Sequence, residues 1–334
     1  MPHQTFAKLV TTLNTHQNCN LDFVASRLQI EKIELEALIS NFLEIGAPLS
    51  LVNQNEIQLT NDINLICSVA VQKKLSPLTR DNIDILPPFL TIDSTNQYLK
   101  KTKAEFTGKW RLCLSEHQSI GRGRQGKKWI SPFASNVYMS LHCQIAIPLL
   151  QIGGVSLMVG LSVIKALRGF GVKGLKIKWP NDIYWKGKKL AGILIESTKL
   201  TDGCAELILG IGVNNAMPKE YGKDIDQQWV DLSFILNRKV SRNSLIAEIV
   251  NHLVENIKIY EQSDLDSVLR EWTEIDYLFN KNISVKSVNG SELFGIAVGI
   301  NARGELLCKN SQNEEIAIHA GDVSVRQVNH ATTN

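Results

Sequence analysis

A run of nine residues in the middle of the chain, 121–129, reads GRGRQGKKW and limits what that part of the chain can form. Its three glycines let the backbone turn sharply and cannot hold a packed core. Its four cations, Arg122, Arg124, Lys127 and Lys128, repel one another unless an anion gathers them. Arginine also presents a planar fork of donors that suits phosphate or carboxylate. The run therefore predicts a loop that closes over an anion such as phosphate.

Two familiar phosphate-binding motifs match this run by letter, and its neighbours exclude both. The glycines spell G-x-G-x-x-G, but that motif needs them to open a helix whose N-terminus receives the phosphate. Pro132 follows too closely for a helix to run through that point. The letters also fit G-x-x-x-x-G-K, but Lys128 stands where a P-loop needs Ser or Thr for magnesium. A basic surface turn stays open as an alternative until the rest of the chain is considered.

Length and composition narrow the class of protein. The chain has 334 residues, which predicts two or three domains, and its apolar content of 44% is typical of a soluble globular protein. The longest apolar stretch, 152–164, is shorter than the roughly 20 residues of a membrane span and predicts a buried helix. No signal sequence opens the chain, and its six cysteines form no C-x-x-C pair. We therefore expect a cytoplasmic protein with no membrane contact.

Charge is divided unevenly along the chain. Residues 1–66 carry three cations and seven anions, a net charge of −4. The whole chain has a net charge of +3, so the remainder carries +7. An anionic ligand is therefore expected on the body of the protein and not on its N-terminal segment.

The N-terminal segment combines helical and strand patterns. Three stretches with helical apolar spacing, around 6–13, 21–28 and 33–43, precede two short alternating stretches at 49–52 and 57–59. Three helices followed by a hairpin predict a winged helix-turn-helix, and a small docking domain of the same shape is the alternative.

The remaining patterns predict the domain division. We expect an N-terminal domain over 1–66, a catalytic domain over 67–275 and a C-terminal domain over 276–334. Between the first two, 63–75 is typical of a helical connector and 77–88 of a linker.

The body opens with polar residues at the start of a helix. An apolar strand is predicted over 89–92, and Ser94 with Gln97 has capping-box spacing. Capping alone would explain Ser94, while Thr95 and Asn96 add more polar groups than a cap requires. Periodicity then predicts further strands over 111–114, 137–145, 176–179, 183–185, 189–196 and 207–214, with a turn at 180–182, and helices over 157–167, 244–260 and 265–275. Short strands over 282–328, with turns at Asn289-Gly290 and Arg303-Gly304, predict a small β-barrel.

Four polar clusters fall at the ends of these elements. They are residues 94–96, the glycine-rich run, Lys178 with Asn181 and Asp182, and Lys189. Mixed α/β folds gather such loops around a single cleft. Cations beside one carboxylate and a set of hydroxyl groups suit a reaction between a phosphate and an organic acid.

Together these motifs closely resemble the signatures of biotin protein ligases. The matching stretches are DSTN at 93–96, GRGRQGKKW at 121–129, KWPNDIY at 178–184, KLAGIL at 189–194 and GDVSVR at 321–326. The helical N-terminus makes the chain similar to the bifunctional bacterial type, which is both ligase and biotin-operon repressor. The resemblance implies an α+β protein with an N-terminal winged helix-turn-helix, a central mixed α/β catalytic domain of the class II aminoacyl-tRNA-synthetase-like type, and a C-terminal SH3-like β-barrel.

The resemblance also implies an activity. Biotin and ATP would give biotinyl-5′-AMP and pyrophosphate, and biotin would then pass to a lysine of the biotin carboxyl carrier protein of acetyl-CoA carboxylase. Mg²⁺ is expected on the phosphates of ATP, with no metal site built by the protein. Cations placed beforehand where charge develops on the α-phosphate should lower the barrier most.

Site residues follow from the same resemblance. Biotin would be held by Ser94, Thr95, Asn96, Gln118, Arg122, Gly123, Arg124 and Lys189. The nucleotide would be held by Arg122, Arg124, Lys127, Trp129, Lys178, Asn181, Asn214 and Arg326. The catalytic residues would be Arg124, Lys189, which bridges carboxylate and phosphate, and Asp182, which orients either the incoming lysine or the reacting groups.

The N-terminal segment leaves two hypotheses open. The first is a ligase with a regulatory N-terminal domain, and the second is a repressor of operator DNA that uses biotinyl-AMP as corepressor and dimerises on binding it. The candidate recognition helix, 31–44, carries four glutamates and one lysine, and the wing tip Asn53-Gln54-Asn55 carries no cation. Since DNA affinity depends on Lys and Arg, these residues argue against the operator. We expect the acidic helix to rest against the basic body.

Overall fold

The computed structural model describes residues 2–16, 18–61, 63–102, 108–201, 203–263, 265–287, 290–321 and 323–328. The N-terminal part consists of α1 (Pro2–Thr15), β1 (Cys19–Asn20), α2 (Leu21–Leu28), α3 (Lys32–Glu44), β2 (Leu49–Asn53) and β3 (Glu56–Leu59). The strands form one antiparallel sheet in the order β1-β3-β2. The predicted three helices and hairpin are confirmed, and β1 adds a short third strand.

Helix α3 separates its apolar and acidic residues onto two faces. Leu35, Ile39 and Phe42 recur at helical spacing and are buried in the N-terminal core. The four glutamates that were expected to rest against the body are all exposed: Glu31, Glu34, Glu36 and Glu44. That expectation is wrong, because the face of α3 that packs is apolar and turns the carboxylates outward.

The N-terminal part docks on the body through apolar contacts instead. The ring of Phe6 packs edge-on against Phe133, with 5.4 Å between ring centroids. Phe133 and Leu90, both from the body, belong to the same buried cluster as the N-terminal core. The turn after α3 also touches the body, since a Cβ on Gly46 would lie 2.5 Å from the Tyr221 hydroxyl. Residues of the body therefore complete the N-terminal core.

The segment expected to be a connector and a linker is more ordered than predicted. It contains α4 (Ser68–Gln72), α5 (Pro77–Asn82) and β4 (Ile83–Ile85). Strand β4 is an edge strand of the central sheet and Ile83 is buried. The linker prediction over 77–88 is therefore wrong: the flanking prolines bound a short strand that burial holds in place.

A seven-stranded sheet forms the centre of the body. Its elements are α6 (Thr95–Lys101), β5 (Trp110–Ser115), β6 (Val137–Ile145), α7 (Ile152–Gly169), β7 (Leu175–Lys178), β8 (Asp182–Trp185), β9 (Lys188–Thr201), β10 (Cys204–Val213), α8 (Leu232–Leu236), α9 (Arg242–Ser263) and α10 (Asp266–Ile275). The strand order is β4-β5-β6-β10-β9-β8-β7, with β4 parallel to β5 and the other pairs antiparallel.

Alternation along β10 gives the sheet two different faces. Leu207, Leu209, Ile211 and Val213 point into the main core with α7 and α9, while the residues between them point the other way. Within the described residues, one stretch, Leu149–Gly169, is apolar and long enough to cross a membrane by composition. It is α7 with the turn before it, and most of α7 is buried against the sheet and α9. The prediction of a buried helix is confirmed.

Two local predictions at the start of α6 need correction. Residues 89–92 form two isolated bridges, Phe89 with Ser115 and Ile92 with Gln118, and no continuous strand. Ser94 stands at the N-cap of α6, but its side chain makes no capping hydrogen bond. The hydroxyl is instead part of a buried polar wall beside the sheet, where Ser94 is only 3% exposed.

The C-terminal part is a five-stranded antiparallel sheet. Its strands are β11 (Asn282–Ser287), β12 (Glu292–Ile300), β13 (Leu306–Lys309), β14 (Glu315–Ile318) and β15 (Val323–Gln327), in the order β14-β13-β12-β11-β15. The turn at Gly304 has the positive φ of +76° that glycine tolerates. Asn289, half of the other predicted turn, lies outside the described residues. Residues 323–326, at the start of β15, lie beside the body.

Candidate functional site

One cleft of about 860 Å³ opens on the face of the sheet opposite α7 and α9. Every residue predicted for the site lines it: Ser94, Thr95, Asn96, Gln118, Arg122, Gly123, Arg124, Lys127, Trp129, Lys178, Asn181, Asp182, Lys189, Asn214 and Arg326. The structure thus brings all the predicted side chains together. It does so by joining the start of α6, the glycine-rich loop, the β7–β8 turn, the start of β9, the end of β10 and the start of β15.

Two glycines of β10 form the floor of the cleft. A Cβ on Gly210 would collide with the side-chain oxygen of Asn96, and one on Gly212 would lie 2.5 Å from the indole of Trp129. Residues two apart on a strand are about 7 Å apart on the same face. Asn96, Trp129 and Asn214, which ends this strand, therefore succeed one another along the cleft.

The glycine-rich loop has a defined backbone shape. Arg122 and Lys128 form an antiparallel bridge, the Gly123 amide donates to the Lys127 carbonyl at 2.7 Å, and the Trp129 amide donates to the Gly121 carbonyl at 2.9 Å. These bonds make the loop a tight hairpin despite its glycines and its like charges. The loop sits at the cleft mouth, so its cations are held at the edge of the site.

Arg124 anchors this loop to the C-terminal sheet. Its guanidinium donates to the carbonyls of Ala320 and Gly321, the latter at 2.7 Å, and to the Asn181 side-chain oxygen at 3.4 Å. Asn181 is itself held by its amide, which donates to the Ile193 carbonyl at 2.7 Å. Arg124 thus links three segments of the cleft wall.

The end of the cleft at Asn96 is polar and neutral. The backbone amide and the hydroxyl of Thr95 both lie within hydrogen-bond distance of the Gln118 side-chain oxygen, at 3.0 and 3.2 Å. The Thr95 hydroxyl is also 2.6 Å from that of Ser140, which donates to Asn96 at 2.5 Å. Thr95 and Asn96 are each 3% exposed. Such a network suits the polar end of a small uncharged ring.

The middle of the cleft pairs opposite charges. The Lys189 ammonium lies 2.9 Å from Oδ1 of Asp182, an ion pair whose geometry is not that of a hydrogen bond. The same ammonium lies 5.4 Å from the centre of the Trp129 ring. Lys189 therefore stands between the neutral end and the cationic end of the site.

Four cations converge at the far end. Burial lowers the pKa of Lys178 below its ordinary value of 10.5, and the charges of Lys189, Lys127 and Arg326 lower it further, while Asp182 opposes them. These cations lie close enough to lower the pKa of the buried Lys178 ammonium, so together they provide a positive potential at this end of the cleft. An oligophosphate is the ligand that such a group accepts best.

Two residues that line the cleft near the end of β10 each carry a buried polar atom with no hydrogen-bond partner within the described residues. The two atoms are Nε1 of Trp129, a donor, and Oδ1 of Asn214, an acceptor. Buried polar atoms in native structures are nearly always paired, so an unpaired donor and acceptor beside a cleft indicate a ligand that supplies both. A heteroaromatic base has edges of that kind.

Sequence reasoning missed several residues that line or support the cleft. Ser140 and Glu196 lie behind the cleft wall, and Gln97 accepts from Arg122 at 3.0 Å. Residues 224–227 and Trp229 also line the cleft, as does Tyr184. The alternation of β6 already placed Ser140 on the polar face, and Glu196 closes the apolar stretch that begins at Lys189. Only strand pairing brings the two near Asn96.

Comparison with known proteins agrees with this geometry. The model of the Biotin/lipoate A/B protein ligase family matches residues 89–214, and that of the Biotin protein ligase C terminal domain matches residues 278–326. The bifunctional ligase/repressor BirA of Salmonella typhimurium is 32% identical over 85% of this chain and 86% of its own length. BirA of Escherichia coli K12 is 30% identical over 90% of this chain and 91% of its own.

A solved structure has the same fold. The biotin protein ligase of Aquifex aeolicus, in complex with biotin and ATP, superimposes with a TM-score of 0.61 over 74% of this chain and 99% of that one, at 24% identity. The two family models and the named relatives place this mixed α/β domain, and the small β-sheet that follows it, among ligases. The chain belongs to the biotin protein ligase family.

Proposed function

We propose that this chain activates biotin with ATP to biotinyl-5′-AMP and transfers the biotinyl group to a lysine of the biotin carboxyl carrier protein of acetyl-CoA carboxylase. The observation that carries the proposal is the layout of the cleft along β10. A neutral polar pocket at Asn96 adjoins the Lys189–Asp182 pair, and three further cations, Lys178, Lys127 and Arg326, follow. That order matches a substrate with a polar ring, a carboxylate and then a triphosphate.

In the first step a biotin carboxylate oxygen attacks the α-phosphorus of ATP, and pyrophosphate leaves with the bonding electrons. Lys189 would sit between the carboxylate and the α-phosphate, where it lowers the repulsion between two anions. Arg122 and Arg124 would close over the acyl phosphate from the loop. Charge-assisted donors of this kind act most strongly where charge develops in the transition state. Lys178, Lys127 and Arg326 would hold the phosphates.

In the second step the neutral amine of the carrier lysine attacks the acyl carbon, and AMP leaves as the amide forms. The attacking amine loses one proton, and Asp182 is the carboxylate that lines this part of the cleft beside Lys189. Asp182 would orient the incoming amine and accept a hydrogen bond from it. Asn214, Asn181 and Trp129 would hold the adenosine, in keeping with the unpaired atoms Nε1 of Trp129 and Oδ1 of Asn214.

Magnesium fits this site only as a partner of the phosphates. The described residues contain no group of three metal-ligating side chains, and the innermost carboxylate is already paired with Lys189. Mg²⁺ retains several waters and takes phosphate oxygens readily. It would therefore enter with ATP and neutralise the phosphates, while the protein supplies the surrounding cations.

We also propose finer architectural assignments on the basis of element order. The central domain would be of the class II aminoacyl-tRNA-synthetase-like type over 67–275, and the five-stranded sheet of 276–334 would be SH3-like. Residues 1–66, with helices α1–α3 and the β2–β3 hairpin, would form a winged helix-turn-helix. All six cysteines are free, which suits a reduced cytoplasm.

A second candidate function is repression of the biotin operon, with dimerisation on ligand binding, because relatives at 32% and 30% identity are named ligase/repressors. The exposed acidic face of α3 argues against it, since phosphate contacts require cations. A gel-shift assay with the operon's promoter DNA, biotin and ATP, repeated at several salt concentrations, decides whether the chain binds an operator. A nanomolar shift at physiological salt would establish repression.

The ligase activity has a direct test. The protein is incubated with biotin, ATP, Mg²⁺ and a carrier domain, and the mass of the carrier is measured. We expect a mass increase of one biotinyl group, absent when the acceptor lysine of the carrier is replaced by arginine. No increase in the intact carrier domain would refute the proposal.

A further inference from the structure

We infer that Glu196 and Ser140 are positioning residues that make the Thr95 hydroxyl an obligate hydrogen-bond acceptor, so that the pocket selects a ligand ring bearing an N–H group. The inference rests on the proposed function for the identity of that ligand. Its basis is a one-way chain of hydrogen bonds that runs from Thr95 through Ser140 and Asn96 to Glu196.

The chain starts at a group that can only accept. The carboxylate of Glu196 accepts from Nδ2 of Asn96 at 3.1 Å, and the same nitrogen donates to the Leu194 carbonyl at 3.2 Å. A carboxylate and a carbonyl both lack a proton to donate. The reversed Asn96 amide would place its oxygen against two acceptors. The amide is therefore held in one orientation, with its oxygen toward Ser140.

That orientation fixes where the hydroxyl protons of Ser140 and Thr95 point. The Ser140 hydroxyl lies 2.5 Å from the Asn96 oxygen, so its only proton points there. The hydroxyls of Ser140 and Thr95 are 2.6 Å apart, a contact that needs a proton between the two oxygens. Since the proton of Ser140 is already used, Thr95 supplies it.

One competing acceptor for the Thr95 proton is present and weaker. The side-chain oxygen of Gln118 lies 3.2 Å from the Thr95 hydroxyl, but it already accepts from the Thr95 amide at 3.0 Å. The shorter contact to Ser140 is therefore the one that takes the proton. The Thr95 oxygen is left with lone pairs only, and Thr95 lines the cleft.

This polarity has a consequence for ligand choice. A cyclic urea offers ring N–H donors to a lone pair, whereas a dithiolane ring of similar size offers none. A site built to receive a donor is left with an unpaired buried acceptor when the donor is absent, and that penalty is what rejects the wrong ligand. The family to which the chain belongs includes ligases for both kinds of acid by its description, biotin and lipoate.

Glu196 is also tied to the loop at the cleft mouth. It lies 3.3 Å from the Lys100 ammonium and 3.9 Å from the Arg122 guanidinium, and its side chain is 16% exposed. Neither Glu196 nor Ser140 lines the cleft itself. Ser140 therefore acts through Asn96 and Thr95, and Glu196 acts through Asn96 and Arg122, without touching a ligand.

The test compares Ser140→Ala and Glu196→Gln with the unaltered protein by calorimetry. Glu271→Gln is the matched control, because Glu271 is also a partly buried glutamate paired with two cations, Lys165 and Arg168, away from the cleft. We expect biotin to bind roughly tenfold more weakly to both variants, the effect of one lost hydrogen bond. In Ser140→Ala, ATP binding and any competition by lipoic acid should stay as in the unaltered protein and in Glu271→Gln. Glu196→Gln also loses its contact with Arg122, so this variant is judged by biotin and lipoic acid alone.

Kinetics separates positioning from general damage. The KM for biotin should rise about tenfold while kcat changes by less than about threefold. Biotin affinity within about twofold of the unaltered protein in either folded variant would overturn the inference, as would equal losses for biotin, lipoic acid and ATP. If the unaltered protein binds no biotin, the proposed function fails and the assigned ligand fails with it. Glu196→Gln keeps the shape of the glutamate side chain. It therefore still tests the inference if Ser140→Ala fails to fold.

Discussion

The ammonium of Lys189 lies 2.9 Å from Oδ1 of Asp182, with both side chains less than one-fifth exposed. Lys189 is at the start of β9, and Asp182 is at the start of β8, the neighbouring strand, so the β8–β9 pairing sets their separation. A substrate carboxylate or phosphate that reaches Lys189 competes with Asp182 for it. We therefore expect ligand binding to loosen this pair and to make the carboxylate available to a second substrate.

We predict that Lys189→Ala and Arg124→Ala each impair formation of biotinyl-AMP. Loss of one charge-assisted donor to the developing phosphoryl charge should cost about 2.7–4 kcal/mol, by analogy with deleted oxyanion donors. Pyrophosphate exchange measures this step alone, and Lys189→Ala should be affected at least as much as Arg124→Ala. Exchange within about threefold of the unaltered protein would remove the residue concerned from the first step.

The two floor glycines give a second prediction. Gly210→Ala would press a methyl group into the Asn96 amide, and Gly212→Ala would press one into the Trp129 ring. We expect Gly210→Ala to weaken biotin binding and Gly212→Ala to weaken nucleotide binding, each by about tenfold or more, since packed sites do not absorb an extra carbon freely. Gly169→Ala, where a Cβ meets nothing within 4 Å, is the control and should bind both as before. If Gly210→Ala weakened nucleotide binding and Gly212→Ala weakened biotin binding, the proposed order of the biotin and nucleotide subsites would be contradicted.

The sequence predicted which residues line the cleft better than it predicted the structure of the segments around the cleft. Glycines, prolines and charged runs mark loops by local chemistry, and loops at strand ends meet in one place. Strand β4 was mistaken for linker because three residues carry too little periodicity, and its burial depends on pairing with β5. The helix cap assigned to Ser94 failed for a similar reason, since the polar wall that surrounds it comes from distant strands.

The roles of Ser140 and Glu196 show where sequence reasoning stops. Alternation along β6 put Ser140 on the polar face, but its partner depends on the positions of α6 and β10. For the glycine-rich loop the sequence predicted only sharp turns and closure over an anion, with no defined backbone pairing. Its hairpin arises from backbone bonds between its ends, such as that from the Trp129 amide to the Gly121 carbonyl.

We predict a pH dependence that originates at Lys178. Its pKa is lowered by burial first and by neighbouring cations second, so the ammonium that binds phosphate is lost at a pH below 10.5. Affinity for ATP should therefore fall as pH rises through that lowered value. In Lys178→Arg, whose guanidinium keeps its proton, affinity should persist up to about pH 10. Equal losses of ATP affinity in the unaltered protein and in Lys178→Arg would show that another group causes the pH dependence.

The same shift predicts an effect on stability in the absence of ligand. Between the lowered pKa and 10.5 the unfolded chain binds a proton at Lys178 that the folded chain does not, so this group makes stability rise with pH there. Below the lowered pKa its destabilising effect is complete. Lys178→Met should therefore raise the free energy of unfolding at neutral pH while weakening ATP binding, as is common at functional sites. Urea unfolding checks the first effect, and a decrease in stability would contradict it.

A buried ion pair joins the body to the segment that leads from the N-terminal part. Arg242 donates to Glu116 at 2.6 Å, and their side chains are 5% and 0% exposed. Glu116 also accepts from the Ile66 amide at 2.5 Å, and Arg242 donates to the Asn64 carbonyl at 2.6 Å. We predict that Glu116→Gln lowers the free energy of unfolding by about 3–5 kcal/mol, because it leaves a buried cation without its partner.

Urea unfolding measures this loss against Glu271→Gln, which breaks a partly exposed pair and should cost less than about 1 kcal/mol. A matched replacement of both partners, Glu116→Gln with Arg242→Met, should recover part of the loss, since no charge is then left buried. A loss under about 1 kcal/mol for Glu116→Gln would mean that water reaches the pair.

The last prediction concerns removal of residues 1–66. Apart from Ile66, the main core of the body lies outside residues 1–66, so the truncated chain should still fold. It would, however, expose Phe133 and Leu90, which are 3% and 7% exposed in the whole chain, and would leave Glu116 without the Ile66 amide. We therefore expect the truncated protein to bind a hydrophobic dye and to aggregate, and the added changes Phe133→Ser and Leu90→Ser to restore a soluble monomer. Because Glu116 and Phe133 lie on either side of the loop that carries Gln118 and Trp129, biotin affinity should fall in the soluble truncated form. Affinity equal to that of the whole chain would show that docking of the N-terminal part has no influence on the cleft.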